Sequence, residues 1–271
     1  MALCRSLAAA GTAFVPVVRD GPKWRAAGLG REPAIADLGE PPALRHALAK
    51  ARIVVSCAHA RHAAAILDAA PQATRFVFLG STRKFTRWPD RHAEGVLAGE
   101  TAFRASARPG IMLHPTMIYG AEGEDNVRRL AALLRRLPVV PLPGGGRALV
   151  RPIHQDDVTA AIRAALEVAW DHPDSMAIAG ADSVSYADFV RAVAAAAGLP
   201  PPRIVGVPAG LLRGVAPLAR LVPGVPLIRA AEIRRLLEDK TFDIGSMQHR
   251  LGLAPIGLAE GLARTFGAAA D

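Results

Sequence analysis

The sequence predicts an α/β fold in which one parallel sheet is wrapped on both faces by helices, a doubly wound arrangement carrying a small C-terminal lobe. Short runs rich in valine and isoleucine alternate along the chain with longer alanine-rich stretches of helical periodicity. Of its 271 residues 51% are hydrophobic, enough to bury a sizeable core. A third observation qualifies the first two. The chain opens with a helical stretch and only then reaches a strand, whereas a doubly wound fold begins with a strand, a glycine turn and a helix. The first strand and its glycine turn therefore have no counterpart.

In chain order, helical periodicity covers residues 3–10, 41–50, 59–69, 92–105, 126–136, 157–169 and 186–197. Strand-like runs fall between them at 13–18, weakly at 33–36, then at 53–56, 76–79, 110–114 and 176–179. Two helices have start signals: Asp156 or Asp157 ahead of one, and Ser183 or Ser185 ahead of Tyr186, with Gly198 closing the latter. From Pro200 onward the texture turns proline-rich and irregular, which predicts a lobe or arm rather than more sheet. The expected division is a nucleotide-binding domain over 1–200, with 140–175 contributing to its substrate side, and a lobe over 201–271.

Composition narrows the function classes. The formal charge is +9, but only four of the 33 basic residues are lysines and the arginines are scattered. This reflects compositional bias or anionic ligands, and no aromatic-interleaved basic stretch suggests nucleic acid. Cys4 and Cys57 are too few for a disulfide framework and lack the paired spacing of a zinc site, so a reducing cytoplasm is expected. The longest apolar run, 206–227, is interrupted by Arg213, Arg220 and several prolines, which predicts no transmembrane helix, and no signal peptide is visible. The segment 211–225 within it reads as a buried lobe helix or a docking surface. His59 and His62 have a ligand-like spacing but no third ligand nearby, so no metal is expected.

Several segments together carry a resemblance. They are Val17-Val18-Arg19-Asp20, Ala36-Asp37-Leu38, FVFLGST at 76–82, Arg108-Pro109-Gly110 running on to Pro115-Thr116-Met117-Ile118-Tyr119-Gly120, PGGGRALVRPIHQDDV at 143–158, and RLLEDKTFDIGSMQHRLGLAPIGLAEG at 235–261. Spread over residues 3–266, they resemble the NAD-dependent epimerase/dehydratase family, the extended short-chain dehydrogenases with a Rossmann-like fold. The resemblance implies an NAD or NADP cofactor, a small-molecule substrate such as a nucleotide-sugar, and hydride transfer between the nicotinamide and a hydroxyl or carbonyl. It places Arg19, Asp20, Asp37, Leu38, Ala58, Ser81, Pro115 and Thr116 at the cofactor. A carboxylate at 19–20 favours a free ribose and a guanidinium favours a 2′-phosphate; with both present, the choice stays open.

Two departures limit the resemblance. Gly28-Leu29-Gly30 is the one Gly-x-Gly near the start, but it precedes a strand and has Pro33 where a third glycine would fall. Without the glycine loop, either cofactor affinity is weak or the start is truncated. The family's proton donor is a tyrosine followed four residues later by a lysine. Counted back from Glu100, which resembles the family's helix glutamate, those positions hold His92 and Val96. His92 is thus the candidate acid, or an exposed residue near a helix start.

Ser81 and Thr82 stand just past a strand's carboxyl end, the ligand-facing edge of a parallel sheet. Ser81 is the candidate for orienting a reacting oxygen and Thr82 for touching substrate; the alternative is a plain turn. Gly144-Gly145-Gly146-Arg147 lacks the ending of a phosphate loop and reads as a substrate-side loop, with Arg147 or Arg151 free for an anionic group or else solvated. The missing dyad keeps open a rival reading, a non-catalytic scaffold like the accessory subunit of respiratory complex I. A homodimer or a larger assembly is the matching partner expectation.

Overall fold

The computed structural model describes residues 1–121, 126–137, 139–211 and 234–267. Three strands with nearly continuous apolar runs, β3 (Ile53–Ser56), β4 (Arg75–Leu79) and β5 (Gly110–Pro115), lie side by side and parallel, and β10 (Pro173–Ile178) joins beyond β5. The register sets Val77 against Ile111 and Phe78 against Met112. All six residues of β5 are buried, so this strand shows no polar alternation.

In β4 the period of two sends alternate side chains to opposite faces. Phe76 and Phe78 meet Phe103 of α5 (Arg91–Ala105) and the apolar face of α4 (Ala63–Ala69). Val77 turns to the other face, where Ile111 and Leu113 pack on Ile162 of α7 (Gln155–Glu167). Each fully buried phenylalanine stabilises the fold by about 1.5–3 kcal/mol relative to exposure.

The two N-terminal strands stand apart. β1 (Val17–Val18) and β2 (Ala34–Ile35) form a separate parallel pair, flanked by α2 (Gly21–Ala26) and α3 (Pro41–Leu48). Among the described residues no strand pairs with the outer edge of β3. α1 (Ala2–Ala9) packs on α7, where Arg163 donates to the Ser6 hydroxyl at 3.0 Å.

A second core forms outside the main sheet. It joins α6 (Asn126–Arg136), α8 (Tyr186–Ala196) and α10 (Leu258–Gly267), numbered after α9 (Gly245–Leu251), with the short strands β6 (Ile118–Tyr119), β7 (Val139–Pro143) and β8 (Leu149–Val150). β9 (Ile153–His154) pairs with β6, and β11 (Val184–Ser185) pairs with β8.

Two expectations are corrected here. The region after Pro200 is not free of sheet: β12 (Arg203–Val207) pairs in parallel with β7, Ile204 opposite Val140. The prolines of this two-stranded pair sit where a missing N–H is tolerated. α7 starts at neither aspartate; its cap is His154, whose Nδ1 accepts from the Asp156 N–H at 3.2 Å. Asp156 and Asp157 fall in the first turn, where negative charge suits the helix dipole, and Asp157 accepts from the Ile256 N–H. α8 is capped by Ser185, which accepts from the Asp188 N–H at 3.0 Å, and Gly198 beyond it has a positive φ. Apart from Leu211, the segment 211–225 lies outside the described residues. No described helix is long and apolar enough to cross a membrane.

Candidate functional site

Parallel strands end together, so the fold lines up the residues that follow them. Ala58 follows β3, Ser81 and Thr82 follow β4, and Pro115 and Thr116 close β5. Ser81 accepts the Arg83 N–H at 3.2 Å and so starts a 3₁₀ turn over Thr82–Phe85, which leaves its own hydroxyl proton uncommitted among the described residues. Thr82 donates to the Pro115 carbonyl at 3.1 Å and Thr116 to the Arg151 carbonyl at 2.6 Å, fastening the loops to one another.

Beneath Ser81 lies a buried polar chain that no sequence pattern announces. The Ser81 N–H donates to Nδ1 of His114, a β5 residue 1% exposed, at 3.2 Å. With Nδ1 accepting, the proton of the neutral ring sits on Nε2, facing Glu100 at 3.4 Å. Lys84 Nζ lies 3.2 Å from the same Nε2 and pairs with Glu100, which also accepts from Ser175 at 2.8 Å. Burial alone would raise the Glu100 carboxyl, but hydrogen bonds from Lys84 and Ser175 outweigh it and hold the group below its ordinary range. Burial, helped by the Lys84 charge, pushes His114 down to about 4. Gly80 makes this packing feasible, because a methyl there would overlap the His114 ring. A glycine directly before Ser81 is the one signal in the sequence that hints at such a close approach.

His92 sits in the first turn of α5, its ring edge-on to His59 at 4.4 Å. Burial and then the Arg83 charge lower its pKa, so it is neutral at pH 7. Val96, four residues on, is buried in the apolar core and offers no charge. Asp90 caps α5 by accepting from the Ala93 N–H at 3.0 Å, and it pairs with Arg83 and with Arg235. Glu238 accepts from the Thr86 hydroxyl and the Arg87 N–H, both at 2.7 Å, so the chain past residue 234 folds over the Ser81 turn.

The remaining candidates divide. Arg19 and Asp37 come together at the ends of β1 and β2, 4.0 Å apart. Asp20 caps α2, and Asp37 accepts the Gly39 N–H beside Leu38. Arg147 is exposed after a glycine turn. Arg151 is not free for a ligand: its three guanidinium nitrogens donate to the carbonyls of Gly180, Phe242 and Ala181 at 2.8–2.9 Å, which makes it a clip between segments. Between α1 and α7, a cavity of about 470 Å³ opens beside the edge, lined by Leu3, Arg5, Cys57, Leu79, Ile118 and Gln155.

No protein-family profile matches the chain, and no curated protein does. Solved structures do. A UDP-glucuronic acid 4-epimerase from Bacillus cereus, in complex with UDP-glucuronic acid and NAD, is 15% identical with a TM-score of 0.72, over 98% of this chain and 94% of that one. MoeE5 in complex with UDP-glucose and NAD is 20% identical with a TM-score of 0.71, over 98% and 93%. The chain has their fold. A third structure, the NAD-dependent NDP-hexosamine 5,6-dehydratase TunA, involved in tunicamycin biosynthesis, is 17% identical with a TM-score of 0.67 over the whole of this chain and 94% of that one. These comparisons lend the accessory-subunit reading no support.

Proposed function

We propose that the chain is an NAD(P)-binding enzyme of epimerase/dehydratase type, acting on a hydroxyl or carbonyl of a small molecule such as a nucleotide-sugar. The observation that carries the reading is Ser81, held by His114 at the carboxyl edge of the sheet, between the strand ends bearing Ala58 and Thr116. The shared fold with NAD-bound nucleotide-sugar enzymes supports it.

The residues present fit such a cofactor. Arg19, Asp37 and Leu38 would take its adenosine ribose; Asp20, already capping α2, borders them. The cavity beside Leu79 and Ile118 has the size of a ligand pocket and lies next to the amino end of α1, whose first N–H groups suit a diphosphate. When bound, the cofactor would supply hydride chemistry. The chain's own part would be to position and to exchange a proton. Ser81 has a hydroxyl proton to give the reacting oxygen, Thr82 and Arg147 border the substrate side, and neutral His92 offers a ring nitrogen to the proton step in place of the absent tyrosine.

A calorimetric titration with NADH and NADPH at low salt tests this. Binding at or below ~10 μM, about −7 kcal/mol, is expected, followed by turnover of a nucleotide-sugar or ketone panel that Ser81→Ala abolishes. Silence up to millimolar cofactor would overturn the reading.

A further inference from the structure

We infer that the amino end of α5 is a phosphate-binding site, built by Arg61, Arg83 and Arg235 around the His59–His92 pair. The inference goes beyond the proposed function and does not require it. The ligand class is a small phosphorylated molecule presenting a dianionic phosphate or a diphosphate.

Two sets of contacts bring these groups together from separate stretches of chain. The turn Ala60–His62 lies directly on α5, because Gly95 and Gly99 have no side chain in the way. A methyl at Gly99 would overlap the Ala60 carbonyl, and one at Gly95 would stand 2.8 Å from His59 and 3.2 Å from the Arg61 Cβ. Arg61 and His59 are thereby set over the first turns of α5. From the other side Asp90, the α5 cap, takes both Arg83 and Arg235 on the same carboxylate oxygen. One guanidinium comes from the turn after β4 and the other from the chain past residue 234. Asp90 is two residues from His92.

The charges do not balance. Around the first turn of α5, Arg61, Arg83, Arg91 and Arg235 stand against Asp90 and Glu94, which leaves +2, and the nearby Glu238 and Lys240 cancel each other. Both histidines are lowered, by burial first and then by the cations and histidine around them, so they add donors and acceptors rather than charge at pH 7. His59 Nδ1 accepts the Arg61 N–H at 3.1 Å, which leaves its Nε2–H to donate. Hydrogen-bonding capacity is also left over. Arg83 Nε is buried without a partner, and Arg61, whose Nε is held by His62, has two terminal nitrogens with none among the described residues. The positive end of the fifteen-residue helix points the same way. A phosphate dianion supplies the missing charge and enough acceptors for guanidinium forks, whereas a sugar hydroxyl supplies neither.

The phosphate could belong to a dinucleotide cofactor or to the substrate, and the experiment separates the two. Inorganic pyrophosphate is titrated calorimetrically at low salt into the full chain, into Arg61→Gln and Arg83→Gln, and into Arg129→Gln, an exposed arginine on α6, as control. Loss of one guanidinium contact is expected to weaken binding about tenfold or more, with the control unchanged. Arg61 is exposed and its loss leaves the Asp90 pairs intact, so Arg61→Gln decides the matter even if Arg83→Gln fails to fold. Displacement of pyrophosphate by NADH assigns the phosphate to the cofactor and moves its diphosphate from the amino end of α1 to that of α5, and displacement by UDP alone assigns it to the substrate. Arg61-dependent binding without any NADH binding keeps this site and removes the nucleotide-cofactor reading. Pyrophosphate binding that ignores Arg61, or is absent up to millimolar concentrations, overturns the site.

Discussion

Ser81 and Arg19 both stand at the carboxyl ends of parallel strands, yet they are held in place by different means. Ser81 is tied through its N–H to a buried histidine, and through that histidine to a carboxylate and a lysine whose side chains are each 10% exposed. Arg19 meets Asp37 at 4.0 Å with its own side chain 83% exposed. The first arrangement is enforced by burial, since any member that lost its partner would be left desolvated. Solvent screens the second, which can rearrange at little cost. The proposed role of Ser81 at a reacting oxygen would benefit from the first kind of support, while the proposed role of Arg19 in selecting between cofactors would tolerate the second.

The contrast can be broken most forcefully at Glu100. Glu100→Leu leaves Lys84 desolvated and unpaired and is expected to cost about 3–5 kcal/mol in urea unfolding. A loss below about 1 kcal/mol would show that water already reaches the pair. Gly80→Ala should come next, at about 1–3 kcal/mol, because the new methyl overlaps the His114 ring. Its amide spectrum should show Ser81 displaced while β1 and β2 stay put.

Acid sharpens the comparison further. His114 falls to about 4 from an ordinary 6.5, through burial and then the Lys84 charge. The unfolded chain therefore takes up a proton that the folded chain refuses. Stability from this group is fully present above pH 6.5 and declines as the pH falls toward 4. Unfolding curves across that window should flatten in His114→Gln, and an unchanged slope would assign the acid sensitivity elsewhere. The smallest effect belongs to Arg19→Gln, expected within about 1 kcal/mol of the parent, with any preference for NADPH over NADH reduced in the calorimeter.

Much of the scaffold was legible in the sequence, and so was the position of Ser81. Continuous apolar runs marked β3, β4 and β5, alanine-rich periodicity marked the helices between them, and Ser185 with Gly198 bounded α8. Each of these is a local signal, written in residues within a turn or two of one another. Arg19 and Asp37 were also readable as strand-end positions, although the separation of β1 and β2 from the main sheet was not.

What only the tertiary structure decided lies between residues far apart in the chain. His114 supports Ser81 across 33 positions, and Arg235 meets Asp90 across 145. Arg151 reads as a free cation until three carbonyls from two other segments close on it. β12 reads as irregular until β7 lies beside it. Burial and charge balance belong to whatever packs around a group, and packing brings together segments whose spacing in the sequence has no period. The sequence by itself therefore determined which elements form and where the strands end, and the folded chain decided which side chains those ends bring into contact.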